Sequence, residues 1–230
     1  MEWLSPAEWE AVRLSLRVSF WATLVALPFG LFVAYALARW RFPGKQVVNG
    51  LVHLPLILPP VVTGYLLLLV FSPRAPVGGF LQSLGVTFAF HWTGAALAAG
   101  IMGFPLMVRA MRLSIEAVDP MLEQAAATLG ASRIWVFATV TLPMVLPGVL
   151  AGSILAFAKA MGEFGATITF VSNIPGQTQT LPSAIYAFLQ VPGGEASALR
   201  LVLVAVAVAM LALLLSEWVS RRVAARVGGA

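Results

Sequence analysis

Cysteine is absent from all 230 residues, which excludes disulfides and thiolate metal sites and leaves the redox compartment unmarked. Charge is scarce as well: 10% of residues are Asp, Glu, Lys or Arg. The two histidines, His53 and His91, stand far apart with no second ligand at metal spacing, so they read as interfacial or packed residues rather than metal ligands. There is no G-x-x-x-x-G-K-[ST] phosphate loop, so the chain does not bind ATP in the Walker manner. No general acid or nucleophile is grouped with a partner, and no catalytic residue is expected. Basic runs interleaved with aromatics are missing, which sets nucleic-acid binding aside despite a formal net charge of +5. No basic n-region leads to a small-residue cleavage site, so the first apolar run is expected to stay as a span. Internal repeats, low-complexity tracts and a second soluble domain are missing too. Residues 1–230 are read as one transmembrane domain, with no cofactor of its own.

What fills the chain is apolar: 60% hydrophobic residues and a mean hydropathy of +0.93. A soluble domain of this length cannot hide so much apolar surface, and the long uncharged runs predict an all-α integral membrane protein. Five transmembrane helices are expected, at about 14–38, 47–71, 93–111, 142–161 and 199–219. The excess of basic over acidic residues follows from cytoplasmic loops and anionic lipid. Arg39, Arg41 and Lys45 mark one inner loop, Arg109, Arg112 and Arg133 another, and Arg221, Arg222 and Arg226 close the last span on the inside. The stretches 72–92 and 162–198 carry few basic residues and read as outer connections. That assignment puts the N-terminus out and the C-terminus in, with Arg13 and Arg17 snorkelling at the outer end of the first span.

Before the first span, Trp3 and Trp9 suit an interfacial lead-in, with Ser5, Pro6 and Glu8 as a capping box. Pro28 with Gly30 should bend the first span. The second contains Pro55, Pro59 and Pro60, then Gly64; backbone donors lost inside a bilayer are tolerated only beside protein or water. Either a broken helix lining a pathway or a packed kink satisfies that pattern. Pro59, Pro60 and Thr63 are therefore candidates for a pathway or gate. So are Lys159 and Glu163, four apart near the outer end of the fourth span, although such a pair can simply neutralise itself. The Gly/Ala-rich stretch 94–103 suits close helix packing. A short helix is expected over 180–190.

The segment 119–143, DPMLEQAAATLGASRIWVFATVTLP, is neither strongly apolar nor a short turn. Asp119 can cap a helix, Pro120 suits its first position, and Gly130 can end it in the left-handed region. Ser132 can cap a second short helix ahead of Pro143. The pattern predicts a cytoplasmic helix–turn–helix between the third and fourth spans, whose small apolar face suits a groove on another protein.

This segment resembles the docking loop of permease subunits in ATP-binding-cassette importers, whose pattern is E-A-A-x-x-x-G, nine residues, then I-x-L-P. Here Gln124-Ala125-Ala126 precede Gly130, nine residues follow, and Val140-Thr141-Leu142-Pro143 closes the pattern. Gln124 replaces the first acid, with Glu123 beside it, and Val140 replaces Ile. The likeness runs over nearly the whole chain. The stretches 42–45, 53–65, 103–112 and 162–186 are similar to the molybdate/sulfate permease group, and to its molybdate members in particular. The resemblance implies a type I importer subunit in the bacterial cytoplasmic membrane. It implies a homodimer around one pathway, two ATPase subunits that bind the ATP, and a periplasmic or extracellular binding protein delivering the oxyanion. It also implies that Glu123, Gln124, Ala125, Ala126, Gly130, Leu142 and Pro143 dock the ATPase. Importers of sulfate, thiosulfate or tungstate remain alternatives within the group; a stand-alone channel or secondary transporter is the alternative of another class.

Overall fold

The computed structural model describes residues 3–227, without the side chains of 220 and 223–227, so Arg226 lies outside the described side chains. Every regular element among the described residues is helical. The first helix, α1 (Pro6–Arg39), is a single run of 34 residues. Its capping box is complete: the Ser5 hydroxyl accepts from the Glu8 N–H, and the Glu8 carboxylate accepts from the Ser5 N–H. The lead-in is thus not separate from the span expected at 14–38; it is the first turns of the same helix.

The stretch expected to cross once at 47–71 is two helices, α2 (Lys45–Ile57) and α3 (Pro60–Phe71), meeting at 113°. The break falls where Pro59 and Pro60 both lack the N–H a continuous helix would need. Pro55 sits inside α2 without ending it. A short helix, α4 (Pro76–Ser83), follows, and then α5 (Trp92–Glu116), which outruns the span expected at 93–111. His91 caps α5, its ring accepting from the Thr93 N–H.

The helix–turn–helix expected at 119–143 is present, but its second helix does not end before the next span. Helix α6 (Pro120–Thr128) stands alone, but α7 (Arg133–Val136) runs through a π turn at Phe137–Thr141 into α8 (Leu142–Met161). Residues Arg133–Met161 therefore form one helical run of 29 residues. Ser132 caps it as anticipated, accepting from the Trp135 N–H. Pro143 causes no break, because it sits in the first turn of α8, following the π turn.

The connection 162–198 is built rather than loose. It holds α9 (Gly165–Val171) and α10 (Leu181–Leu189), and the chain ends its described part in α11 (Glu195–Val227). Among the described residues, four helices are long and apolar enough to cross a membrane, or five if the bent pair α2–α3 counts as one.

Helices α1, α5 and α8 pack together as the centre, with α11 against α8 and α9 against α3. Small residues bring them close, as the 94–103 stretch suggested: a side chain on Gly103 would meet Ala156, and one on Gly100 would meet Ala22. At one end of the bundle Arg200 of α11 holds the fully buried Glu8 of α1, Nη2 to Oε1 at 2.7 Å. At the other end Arg112 of α5 reaches Asn49 of α2 at 3.0 Å. Much of the outer surface is large and apolar, as on Phe29, Phe32, Leu203 and Leu211, which suits lipid rather than water.

Candidate functional site

Helix α6 has both ends fixed by its own sequence. The Asp119 carboxylate accepts from the Met121 N–H at 2.9 Å, and Pro120 fills the first turn, where no N–H is missed. At the far end Gly130 has φ +89°. Its N–H bonds the Ala127 carbonyl at 3.0 Å, and that of Ala131 bonds the Ala126 carbonyl at 3.3 Å. This pair of bonds is the Schellman closure, and it needs the left-handed region that glycine occupies without steric cost.

The residues expected to dock, on α6, in the turn after it and at the start of α8, divide by exposure. Gln124, Ala125 and Gly130 are exposed, as is Pro143, whereas Ala126 and Leu142 are half-buried. Glu123 belongs to the inner face. Its Oε1 accepts from the Thr141 hydroxyl at 2.7 Å and lies 3.4 Å from Arg39 Nη2, and its Oε2 lies 3.4 Å from Arg39 Nε. The same Arg39 donates to the Val118 carbonyl at 2.8 Å. So Glu123, read from the sequence as a docking residue, clamps α6 to the end of α1 and to the π turn.

The small apolar face read from the sequence, Leu122 with Leu129, is exposed, Leu129 to 89%. Sequence reasoning missed three further exposed apolar residues, Met121 of α6 and Ile134 and Trp135 of α7, Ile134 being 82% exposed, because an exposed side is not distinguishable from a packed one in so short a helix.

The second set of candidates lies where α3 meets α9. Pro59 and Pro60 are exposed at the break, and Thr63 is buried one turn on. Gly64 sits so close to α9 that a Cβ there would clash with the Ala166 carbonyl, and a Cβ on Gly165 would come within 2.7 Å of Pro60. Lys159 and Glu163 do pair, at 2.9 Å, with Glu163 only 2% exposed. The other Glu163 oxygen accepts from the Ala166 N–H at 3.0 Å. The pair therefore holds the first turn of α9 in place against the break in α2–α3. No group of three or more metal-ligating side chains occurs among the described residues.

Comparison with known proteins puts this arrangement in context. The family model described as "Binding-protein-dependent transport system inner membrane component" matches residues 26–227. The chain belongs to that family. The Escherichia coli K12 protein called molybdenum transport system permease protein ModB is 57% identical over 98% of this chain and 99% of its own length. The ModB of Haemophilus influenzae is 53% identical over 96% and 97%. The sulfate transport system permease CysT of Salmonella typhimurium is 36% identical over 78% of this chain and 65% of its own length.

Among solved structures, a bacterial ABC transporter that imports the polysaccharide alginate matches with a TM-score of 0.74 at 20% identity, covering 95% of this chain and 80% of that one. The MetNI methionine transporter matches at 0.66 and 14% identity, covering 94% of each chain. At those identities the structural likeness establishes the fold, that of an ABC importer permease. Family membership makes the chain a multi-pass inner-membrane transport component rather than an enzyme, and ATP hydrolysis belongs to another subunit.

Proposed function

We propose that this chain is the permease of a type I importer that carries molybdate inward across the cytoplasmic membrane. The reading rests on 57% identity, over nearly the full length, to a permease named for molybdenum transport. Two copies surround one pathway, two ATPase subunits bind below, and a binding protein delivers the oxyanion from outside. All of residues 1–230 form the one transmembrane domain, with the N-terminus out and the C-terminus in. Arg39, Arg41, Lys45, Arg112 and Arg133 then share the cytoplasmic end, which the Arg39–Glu123 and Arg112–Asn49 contacts support.

Helix α6 is the coupling helix. Its outer face, with Gln124, Ala125 and Gly130, joins Met121, Leu129, Ile134 and Trp135 to fill a groove on the ATPase. The interlocked α3–α9 corner, with Pro59, Pro60, Thr63, Lys159 and Glu163, is the gate. ATP-driven closure of the ATPase pair moves α6, and the rigid α7–α8 run carries the motion to that corner.

Metal-detected uptake tests the substrate, in cells that lack their own importer and express this permease with its ATPase and binding protein. Molybdate should accumulate with little loss in excess sulfate. Sulfate competing as well as unlabelled molybdate would move the assignment to the sulfate/thiosulfate branch, and a tungstate preference would move it to tungstate. Uptake that persists without the ATPase subunit would make the chain a stand-alone channel or secondary transporter.

A further inference from the structure

A groove of about 780 Å³ opens between α1, α2 and α5, with no residue of the coupling segment in its walls. Its walls include Val25 and Phe29 of α1, Leu51 of α2, and Leu97 and Phe104 of α5. That volume is in the range of small-molecule sites, roughly 300–1,000 Å³. Its one hydroxyl, on Thr93, already donates to the Thr87 carbonyl at 2.9 Å. Beyond it the walls offer only the indole N–H groups of Trp21 and Trp92 and no cation, too little for a doubly charged oxyanion, and an apolar space of this kind does not hold water well. The occupant has to be apolar along its length.

The mouth differs from the walls. Trp92 lines the groove, and the Arg17 guanidinium lies over its ring at 3.8 Å from the centroid. Arg17 is exposed, and so is Arg13 one turn earlier. Among the described residues, Arg39, Arg112, Lys159, Arg200 and Arg221 each pair with a carboxylate, and neither Arg13 nor Arg17 does. From Arg17 to Phe29 is 12 residues of helix, roughly 18 Å at 1.5 Å per residue. Half of a hydrocarbon core about 30 Å thick is similar, roughly 15 Å. An unpaired cation at the mouth and a dry groove one leaflet deep match the two parts of a single molecule.

We propose that this groove holds one acyl chain of an anionic phospholipid, with the lipid phosphate on Arg17. The cation keeps its place over Trp92 while the phosphate supplies the anion that the protein does not. A lipid held there would act on assembly or activity through the α1–α5 packing.

Native mass spectrometry of the purified permease–ATPase complex tests this, with phosphatidylglycerol and phosphatidylcholine added in turn. Phosphatidylglycerol should be retained in preference. Arg17→Gln should lower its retention about fivefold, the factor that one basic residue contributes at an anionic surface. Arg17→Lys should keep most of it. Val25→Trp, at an exposed wall position, should displace both lipids. All variants are compared as complexes that still carry the ATPase, so a folding defect is not mistaken for lost lipid. Equal retention of the two lipids, or phosphatidylglycerol retention unchanged in both Arg17→Gln and Val25→Trp, overturns the proposal. Disulfide cross-linking of two permease copies through Val25→Cys would assign the groove to a second copy and overturn it as well.

Discussion

Glu123 carries more of the cytoplasmic end than its neighbours do. Its carboxylate joins α1, α6 and the π turn through Arg39 and Thr141, and both members of the ion pair are largely buried. A docking role and a bracing role predict different outcomes. If Glu123 met the ATPase directly, Glu123→Gln would release that subunit and Arg39→Gln would not. With the geometry described above, each single change should loosen α6 alike. The double change should cost less than the sum of the two, with a coupling of about 1 kcal/mol in thermal unfolding of the detergent-solubilised protein. Additive effects would remove the brace. The partner of Glu123 was not legible in the sequence, since Arg39 lies 84 residues away and helical spacing says nothing about contacts at that range.

At the scale of elements, the local signals were readable and the angles were not. Ser5 with Glu8, Asp119 with Pro120, and Gly130 each mark a helix end that the structure places where short-range chemistry put it. The prolines of the second span left a broken helix and a packed kink both open, and said nothing of the 113° bend that the break takes. That angle comes from α9, whose Ala166 and Gly165 press on Gly64 and Pro60. Helix α9 itself went unseen because GATITFV reads as well for a strand or a loop, and it is held by Glu163 and by contact with α3. The π turn was also hidden, because FATVT has no signature that sets it apart from an α-helical turn.

Gly130 offers the cleanest test at this scale. A side chain there has open space around it, so the cost of substitution is backbone strain alone. Gly130→Ala should cost about 1–2 kcal/mol locally, and the β-branched Gly130→Val more. In the assembled transporter, Gly130→Val should leave membrane insertion intact while ATP hydrolysis and uptake come uncoupled. Normal uptake with normally stimulated ATPase activity would take the coupling role away from α6.

For the whole molecule, the arrangement in the bilayer is the property most open to a direct check. The chain has no cysteine, so each one introduced is its only thiol. Val86→Cys, between α4 and α5, should react in intact cells with a membrane-impermeant maleimide. Arg41→Cys, in the loop after α1, should react only after the membrane is opened. The reverse pattern would invert the proposed topology. The long apolar runs made the helical membrane class plain from composition, whereas the number of full crossings depended on whether α2 and α3 count as one.

The unbroken run from Arg133 to Met161 has a mechanical side. At 1.5 Å per residue it is roughly 44 Å long, more than the thickness of the hydrocarbon core. With no loop between its ends it cannot absorb a displacement at one, and the π turn and Pro147 are the points along it that favour a bend. It behaves as a lever: a tilt imposed at Arg133 becomes a swing at Lys159, with the helix crossings at Gly148 and Gly152 near mid-length as the fulcrum, where α5 lies too close to admit a side chain without displacement. Bulk added at those two glycines would shift the pivot rather than either end, altering how far the Lys159 end travels for a given push.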